Sequence, residues 1–204
     1  MGAVCIGVLA LQGAFAAHAA AFGDLGESAV EVRCSAEVDQ LDGLVIPGGE
    51  STTLLKLLDG TGIERSVRGL IERGGAIFGT CAGAILLSSR VLRPEQYAWR
   101  MIDLTIERNA YGRQVDSFET AVRAPVLGEP PLPVVFIRAP RIREASTRVE
   151  VLAEFEGSPI LVRQERVLAA TFHPELTPDC RVHRLFVEMV RAGRTAVATS
   201  PREA

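Results

Sequence analysis

The sequence predicts an α/β fold in three layers, with helices on both faces of a mostly parallel sheet and antiparallel strands extending that sheet. Two patterns carry this expectation. In the first half, short apolar runs alternate with segments of helical period. In the second half, strand-like runs follow one another, parted by Pro/Gly turns at 128–131 (GEPP) and 157–159 (GSP). A chain of 204 residues, 48% hydrophobic and 23% charged, suits one domain with a single sizeable core.

Taken in order, residues 3–10 read as a first buried strand and 14–25 as a helix. Strands follow at 30–34 and 43–46, then a helix over 52–58 stopped by Gly60 and Gly62. A helix over 63–73 ends at Gly74 and Gly75, residues 76–78 (AIF) make a short apolar strand, and 82–90 reads as a helix. Beyond it, strands are expected at 102–106, 118–122, 134–138, 149–155, 160–163 and 167–172, with a hairpin near Gly157. An amphipathic helix over about 178–191 closes a single domain, 1–192. The tail 193–204 has little apolar pattern and is expected to be mobile.

Composition narrows the function classes. A net charge of −3 provides no basic footprint, so nucleic acid is a poor partner. Of the 22 basic residues, all but Lys56 are Arg, a skew that reads as composition bias. The apolar start, MGAVCIGVLALQG, lacks the basic flank of a signal peptide and is too short to span a membrane. A cytoplasmic protein with no membrane partner is therefore expected. The four cysteines, Cys5, Cys34, Cys81 and Cys180, include no CxxC pair, and all but Cys81 read as reduced, buried or half-buried thiols. Three histidines without metal-ligand spacing argue against a metal site. Of these, His18 and His183 sit in helical patterns and read as surface or core residues.

Three segments carry chemistry, each at the C-terminal end of an expected strand, where open α/β sheets place their sites. The first, FGTCAG at 78–83, is the cysteine counterpart of the G-x-S-x-G nucleophile elbow. Gly79 and Gly83 let neighbouring backbone approach a sharp strand-to-helix turn. The helix starting after Cys81 favours thiolate over thiol, and the Ala82 N–H is available to an oxyanion. The second, TFHPEL at 171–176, pairs His173 with Glu175. Pro174 biases His173 toward extended backbone, where residues i and i+2 share a side, so Glu175 can hold one ring nitrogen protonated. This is the base-plus-orienter logic of a triad in the order Cys, His, Glu. The third, IPGGESTT at 46–53, offers a Gly48 or Gly49 N–H as a second oxyanion donor and Ser51 as a helix N-cap. The arginines at 138–143 read as a solvated loop. These residues alone support a thiol nucleophile with a paired base, and they do not exclude a cysteine peptidase or another hydrolase. An interaction module whose site is idle is disfavoured because Cys, His and Glu are all present.

With PGGEST, GTCAG and FHPEL in this order and spacing, the chain resembles the class I (triad) glutamine amidotransferases. Along 1–192 it is similar, more narrowly, to the glutaminase subunits of pyridoxal 5′-phosphate synthases. The narrower likeness is carried by LALQGAFAAH, PGGESTTLLKLL, IFGTCAGAILL and TFHPELTPDCRVHRLFVEMV, and most specifically by IERNAYGRQVDSFE and VVFIRAPRI. The chain departs from it at 97–101 (YAWRM), which is bulkier than the small, Gly-containing stretch expected there. The resemblance implies a flavodoxin-like sheet and a triad of Cys81, His173 and Glu175. It implies that Gly49, Glu50, Ser51, Arg108, Ile137 and Arg138 hold L-glutamine, which raises Arg108 and Arg138 above the Arg-rich background. It implies hydrolysis of glutamine through a cysteinyl thioester, with no cofactor. The ammonia passes to a (β/α)₈ pyridoxal 5′-phosphate synthase subunit in a large hetero-oligomer, and the oxyanion turn at 47–51 is organised on docking.

Overall fold

The computed structural model describes residues 4–108, 110 and 117–199, with backbone alone for 196–199. The chain opens with strand β1 (Ile6–Leu9), helix α1 (Phe15–Asp24), strand β2 (Ala29–Val32), the single-turn helix α2 (Ser35–Val38) and strand β3 (Gly43–Ile46). Helices α3 (Ser51–Leu58) and α4 (Ile63–Glu72) lead to strand β4 (Ala76–Thr80) and helix α5 (Ala82–Leu87). Strands β5 (Ser88–Leu92), β6 (Ile102–Glu107), β7 (Ser117–Val122), β8 (Leu132–Ile137), β9 (Arg141–Ala145), β10 (Glu150–Phe155), β11 (Ser158–Gln164) and β12 (Val167–Ala170) follow. Helix α6 (Arg181–Thr199) comes last.

The central sheet has the order β10-β11-β12-β4-β3-β1-β2. Its β2, β1, β3, β4 and β12 are mutually parallel, whereas β11 and β10 add antiparallel strands at one edge. The expected fold class is therefore the observed one. Strands β1, β3, β4 and β12 are buried along their whole length, as parallel strands covered on both faces require. Alternation then sorts their side chains. Leu9, Leu44, Ile46 and Ile77 face Leu54, Val67, Leu70 and Leu86 of α3, α4 and α5. On the other face Ile6, Val8, Val45 and Phe78 meet Phe22 of α1, Phe186 and Val190 of α6, and Phe136 of β8. Each such fully buried side chain contributes about 1.5–3 kcal/mol.

Several sequence expectations are corrected by packing. The helix predicted over 82–90 stops at Leu87, where the Ser88 hydroxyl donates to the Ile85 carbonyl at 2.8 Å, and Ser88–Leu92 pairs in parallel with β6. Only β10 and β11 extend the central sheet. Strands β5, β6 and β9 form a second sheet, and β7 with β8 a separate hairpin. That hairpin lies over the central sheet because its Phe118 and Phe136 stack at 4.8 Å and continue into Phe155 and Phe172. Within 138–143, residues 141–143 belong to β9 rather than a solvated loop. Ile142 is buried against Ile106, and Arg143 pairs with Glu107 across the sheet. Two Arg and a Glu hide this strand from a hydrophobic pattern.

Helix α6 runs to Thr199 instead of ending near 191, so residues 193–199 of the predicted tail are helical and 200–204 lie outside the described residues. Gly193 is not a stop signal here. A Cβ on it would sit 2.1 Å from the Gly74 carbonyl oxygen, so it is the point where the helix touches the turn before β4. Arg194 holds Asp42 at 3.3 Å one residue further on. At 97–101 the extra bulk goes inward: Trp99 is buried and Arg68 donates to its carbonyl, while the Tyr97 hydroxyl bonds Glu64 at the surface.

Candidate active site

Cys81 stands between β4 and α5 with φ 47° and ψ −104°, a conformation that costs a non-glycine residue about 1–3 kcal/mol. Its own N–H is anchored on the Ala170 carbonyl at 2.8 Å. The elbow glycines do what their sequence positions suggest. A Cβ on Gly79 would lie 2.7 Å from the Gly83 backbone, and one on Gly83 would lie 2.0 Å from the Ile46 carbonyl oxygen. Gly83→Ala is therefore expected to destabilise the fold by about 2–3 kcal/mol through overpacking against backbone that cannot yield. A fall in the denaturant midpoint checks this, and an unchanged midpoint refutes it.

The base arrives from the end of β12. The His173 N–H donates to the Val135 carbonyl at 2.8 Å, tying it to β8. Its Nδ1 lies 2.8 Å from Glu175 Oε1, with both side chains almost completely buried. The route differs from simple strand alternation. His173 itself is near-extended (φ −108°, ψ 86°), but Pro174–Leu176 form a 3-10 turn that folds Glu175 back beside the ring. With Nδ1 taken by Glu175, Nε2 is left to the Cys81 thiol. Burial works against charge on His173, but its hydrogen bonds and charge interactions with Cys81 and Glu175 prevail and push its pKa up to about 10. Burial likewise opposes charge on Glu175, yet the His173 hydrogen bond and electrostatic interaction with the neighbouring His18 and His173 imidazoles hold its carboxyl below the usual range.

A raised histidine pKa means that the folded state holds the proton more tightly than the unfolded chain. Its stabilisation is complete below the ordinary 6.5 and is lost as pH rises through about 10. Unfolding free energy measured by denaturant titration should therefore decline across that window. His173→Asn should flatten the decline, and an unflattened curve would show that another group causes it.

The third segment turns at the end of β3. Gly48 has no room for a side chain, since a Cβ would lie 2.4 Å from the His173 ring, and Gly49 has φ 150°. Gly48 is expected among the oxyanion donors, but its N–H is committed to Thr80 Oγ1 at 3.0 Å. Of the expected donors, Gly49 and Ala82 remain, the latter at a helix start whose N–H groups have no intrahelical acceptor. Ser51 is not the cap of α3. Glu50 is, accepting from the Thr52 and Thr53 N–H groups at 3.2 and 2.7 Å. Hydrogen bonds led by the Thr52 hydroxyl lower the Glu50 pKa to about 2 despite some burial. Ser51 instead donates to the Gln96 side chain at 3.0 Å.

Arg108 crosses to Glu50 at 3.2 Å and keeps its Nη1 buried without a hydrogen-bond partner among the described residues. Arg138 adopts φ 44°, strained like Cys81, directly after Ile137. Together Gly49, Glu50, Ser51, Cys81, Ile85, Arg108, Ile137, Arg138 and His173 line one cavity of about 170 Å³. Every residue expected to hold substrate thus shares one cavity with Cys81. Of the segment IERNAYGRQVDSFE, residue 109 and residues 111–116 lie outside the described residues. A larger depression of about 1000 Å³ between α3, α4 and Tyr97 contains neither a cysteine nor a histidine.

Four residues of the site carry no signal of their own in the sequence. Gln12 brackets the Glu50 backbone, donating to its carbonyl at 2.9 Å and accepting from its N–H at 3.3 Å. Thr80 holds the Gly48 N–H. His18 and His183, both fully buried, stand behind Glu175.

Residues 8–192 match the SNO glutamine amidotransferase family. A protein of Thermotoga neapolitana described as pyridoxal 5′-phosphate synthase subunit PdxT is 47% identical over 186 residues, covering 91% of this chain and 99% of the relative. A PdxT of Koribacter versatilis is 50% identical over 190 residues, covering 93% and 97%. A crystal structure described as a glutamine amidotransferase superposes with a TM-score of 0.85 at 48% identity, covering 91% of this chain and 98% of the other. The chain therefore belongs to the SNO glutamine amidotransferase family.

Proposed function

We propose that this chain is the glutaminase subunit of a pyridoxal 5′-phosphate synthase, hydrolysing L-glutamine to glutamate and ammonia. The observation that carries the reading is the cavity in which Cys81 and His173 share walls with Glu50, Arg108 and Arg138. In that cavity the buried guanidinium of Arg108 suits the α-carboxylate of an amino acid. The names of relatives 47–50% identical along nearly the whole chain support the pathway, and the family match and the similar crystal structure support glutamine.

The mechanism follows from the geometry. Cys81 thiolate adds to the side-chain amide carbon of glutamine, and the resulting oxyanion takes hydrogen bonds from the Ala82 and Gly49 N–H groups. His173, held as imidazolium by Glu175, gives its Nε2 proton to the leaving nitrogen as the C–N bond breaks. Ammonia departs and a thioester remains. His173, now neutral, takes a proton from water, and the hydroxide adds to the thioester carbon. Collapse expels Cys81 thiolate and releases glutamate.

The ammonia is passed to a (β/α)₈ synthase subunit in a large hetero-oligomer. The Gly48 N–H held by Thr80 fits an oxyanion turn that is completed on docking. The proposed location is the cytoplasm, since Cys5, Cys34, Cys81 and Cys180 are all unpaired thiols.

Glutamate release from glutamine, measured with and without the synthase subunit, tests the reading. A glutamine-like chloroketone should label Cys81 and peptide-based electrophiles should not. The reverse selectivity would point to a peptidase.

A further inference from the structure

We infer that His18 is a positioning residue that couples the base side of the site to its oxyanion side through one imidazole. The inference rests on the triad reading above and adds to it a group that touches neither substrate nor nucleophile. His18 projects from α1 into an aromatic cage in which it meets Phe78 edge-on and its neighbour His183 meets Phe22 and Phe78 edge-on, and both imidazoles are completely buried. An apolar side chain would fill such a cage at lower desolvation cost, so two imidazoles there call for an explanation.

Both nitrogens of His18 are directed. Nδ1 lies 2.9 Å from His183 Nε2. Nε2 lies 3.2 Å from Thr80 Oγ1 and 3.4 Å from Glu175 Oε2, the carboxylate oxygen that His173 does not use. Thr80 Oγ1 in turn accepts the Gly48 N–H at 3.0 Å. One ring nitrogen thus faces both the carboxylate that orients the base and the hydroxyl that holds the oxyanion turn.

The proton positions follow. His183 Nδ1 is buried and has no partner among the described residues, and a bare lone pair there costs less than an orphaned N–H. The His183 proton is therefore on Nε2 and is donated to His18 Nδ1. His18 then carries its own proton on Nε2, where the Glu175 carboxylate attracts it. Burial keeps both rings neutral, with pKa values lowered to about 4 for His18 and about 3 for His183. As a neutral ring, His18 shares its Nε2 proton with Thr80 Oγ1 and holds Nε2 3.4 Å from Glu175 Oε2. This is an electrostatic contact to an oxygen that has no hydrogen-bond partner among the described residues, and it does not compete with His173 for the charge. Glu175 Oε1 stays aimed at His173, and Thr80 stays in register with Gly48.

The test measures kcat and KM for glutamate release by the full chain assayed together with its synthase subunit. His18→Leu should lower kcat by about tenfold or more with KM changed less than about twofold, because the residue acts on groups used in the transition state. His18→Gln, whose amide N–H reaches the place of Nε2, should restore most of kcat. Retained kcat in His18→Leu, equal impairment in both variants, or a loss confined to KM would each overturn the inference. If melting curves show that His18→Leu does not fold, His18→Gln is compared with His18→Asn, whose shorter amide reaches only the place of Nδ1. Gln active and Asn impaired in kcat supports the coupling, and equal rates refute it. Cys81→Ala is assayed alongside. If it stays active, the triad reading itself has failed, whereas an inactive Cys81→Ala beside a normal His18→Leu defeats only this inference.

Discussion

Replacing Cys81 with Ala is expected to reduce glutamate release by about ten-thousandfold or more, assayed with the synthase subunit present, while leaving the melting temperature close to that of the unaltered chain. The size of the effect follows from the covalent step. Without the sulfur there is no thioester, and water alone must attack an unactivated amide in the pocket. The small effect on folding follows from the backbone. At φ 47° both Cys and Ala have a Cβ in the same strained place, so the exchange neither adds nor relieves that strain. The turn is also held from outside the side chain, by the Cys81 N–H on Ala170 and by the tight approach of Gly83 to Ile46. Glutamate release within tenfold of the unaltered chain would remove Cys81 from the mechanism.

Glu175→Gln should lower kcat by about a thousandfold or more with little change in KM. The carboxylate accepts the Nδ1 proton of His173 at 2.8 Å and helps to hold the ring charged. An amide of the same shape can donate to Nδ1 instead, which drives the ring proton onto Nε2. The nitrogen facing Cys81 can then no longer receive the thiol proton. The amide also gives up the negative charge that supports imidazolium, so thiolate formation is weakened twice. The rate of Cys81 alkylation by iodoacetamide near neutral pH should therefore fall together with kcat. If kcat falls while alkylation is unchanged, Glu175 acts after thiolate formation and the tautomer argument is wrong.

The legible parts of this protein are those whose signal is local. The buried strands 43–46 and 76–78 were readable because parallel strands covered on both faces are continuous apolar runs. The elbow, the PGGE turn and the HPE segment were readable because each needs special residues within a few positions of one another. Glu50 was harder: a carboxylate caps α3 as well as a hydroxyl does, and Ser51 next to it is the commoner cap type. The second-half strands were found individually but not their partners, since β6 and β7 have the same period whichever sheet they join. Strand β9 was hidden by its arginines, of which Arg143 pairs with Glu107 across the sheet and Arg141 donates to the Ser158 hydroxyl.

The triad shows where that boundary lies. The sequence by itself determined the fold class and put forward Cys81, His173 and Glu175 as nucleophile, base and orienting acid, because the elbow glycines and the His-Pro-Glu spacing lie within short segments. Only the tertiary structure decided that the Gly48 N–H is held by Thr80, that Gln12 brackets Glu50, and that His18 and His183 stand behind Glu175. Those contacts join residues far apart in the chain, His18 and His183 being separated by 165 positions. A buried imidazole on a helix carries no mark of which distant carboxylate it will face. That is settled by how α1 and α6 pack against the sheet, and so by the whole core at once.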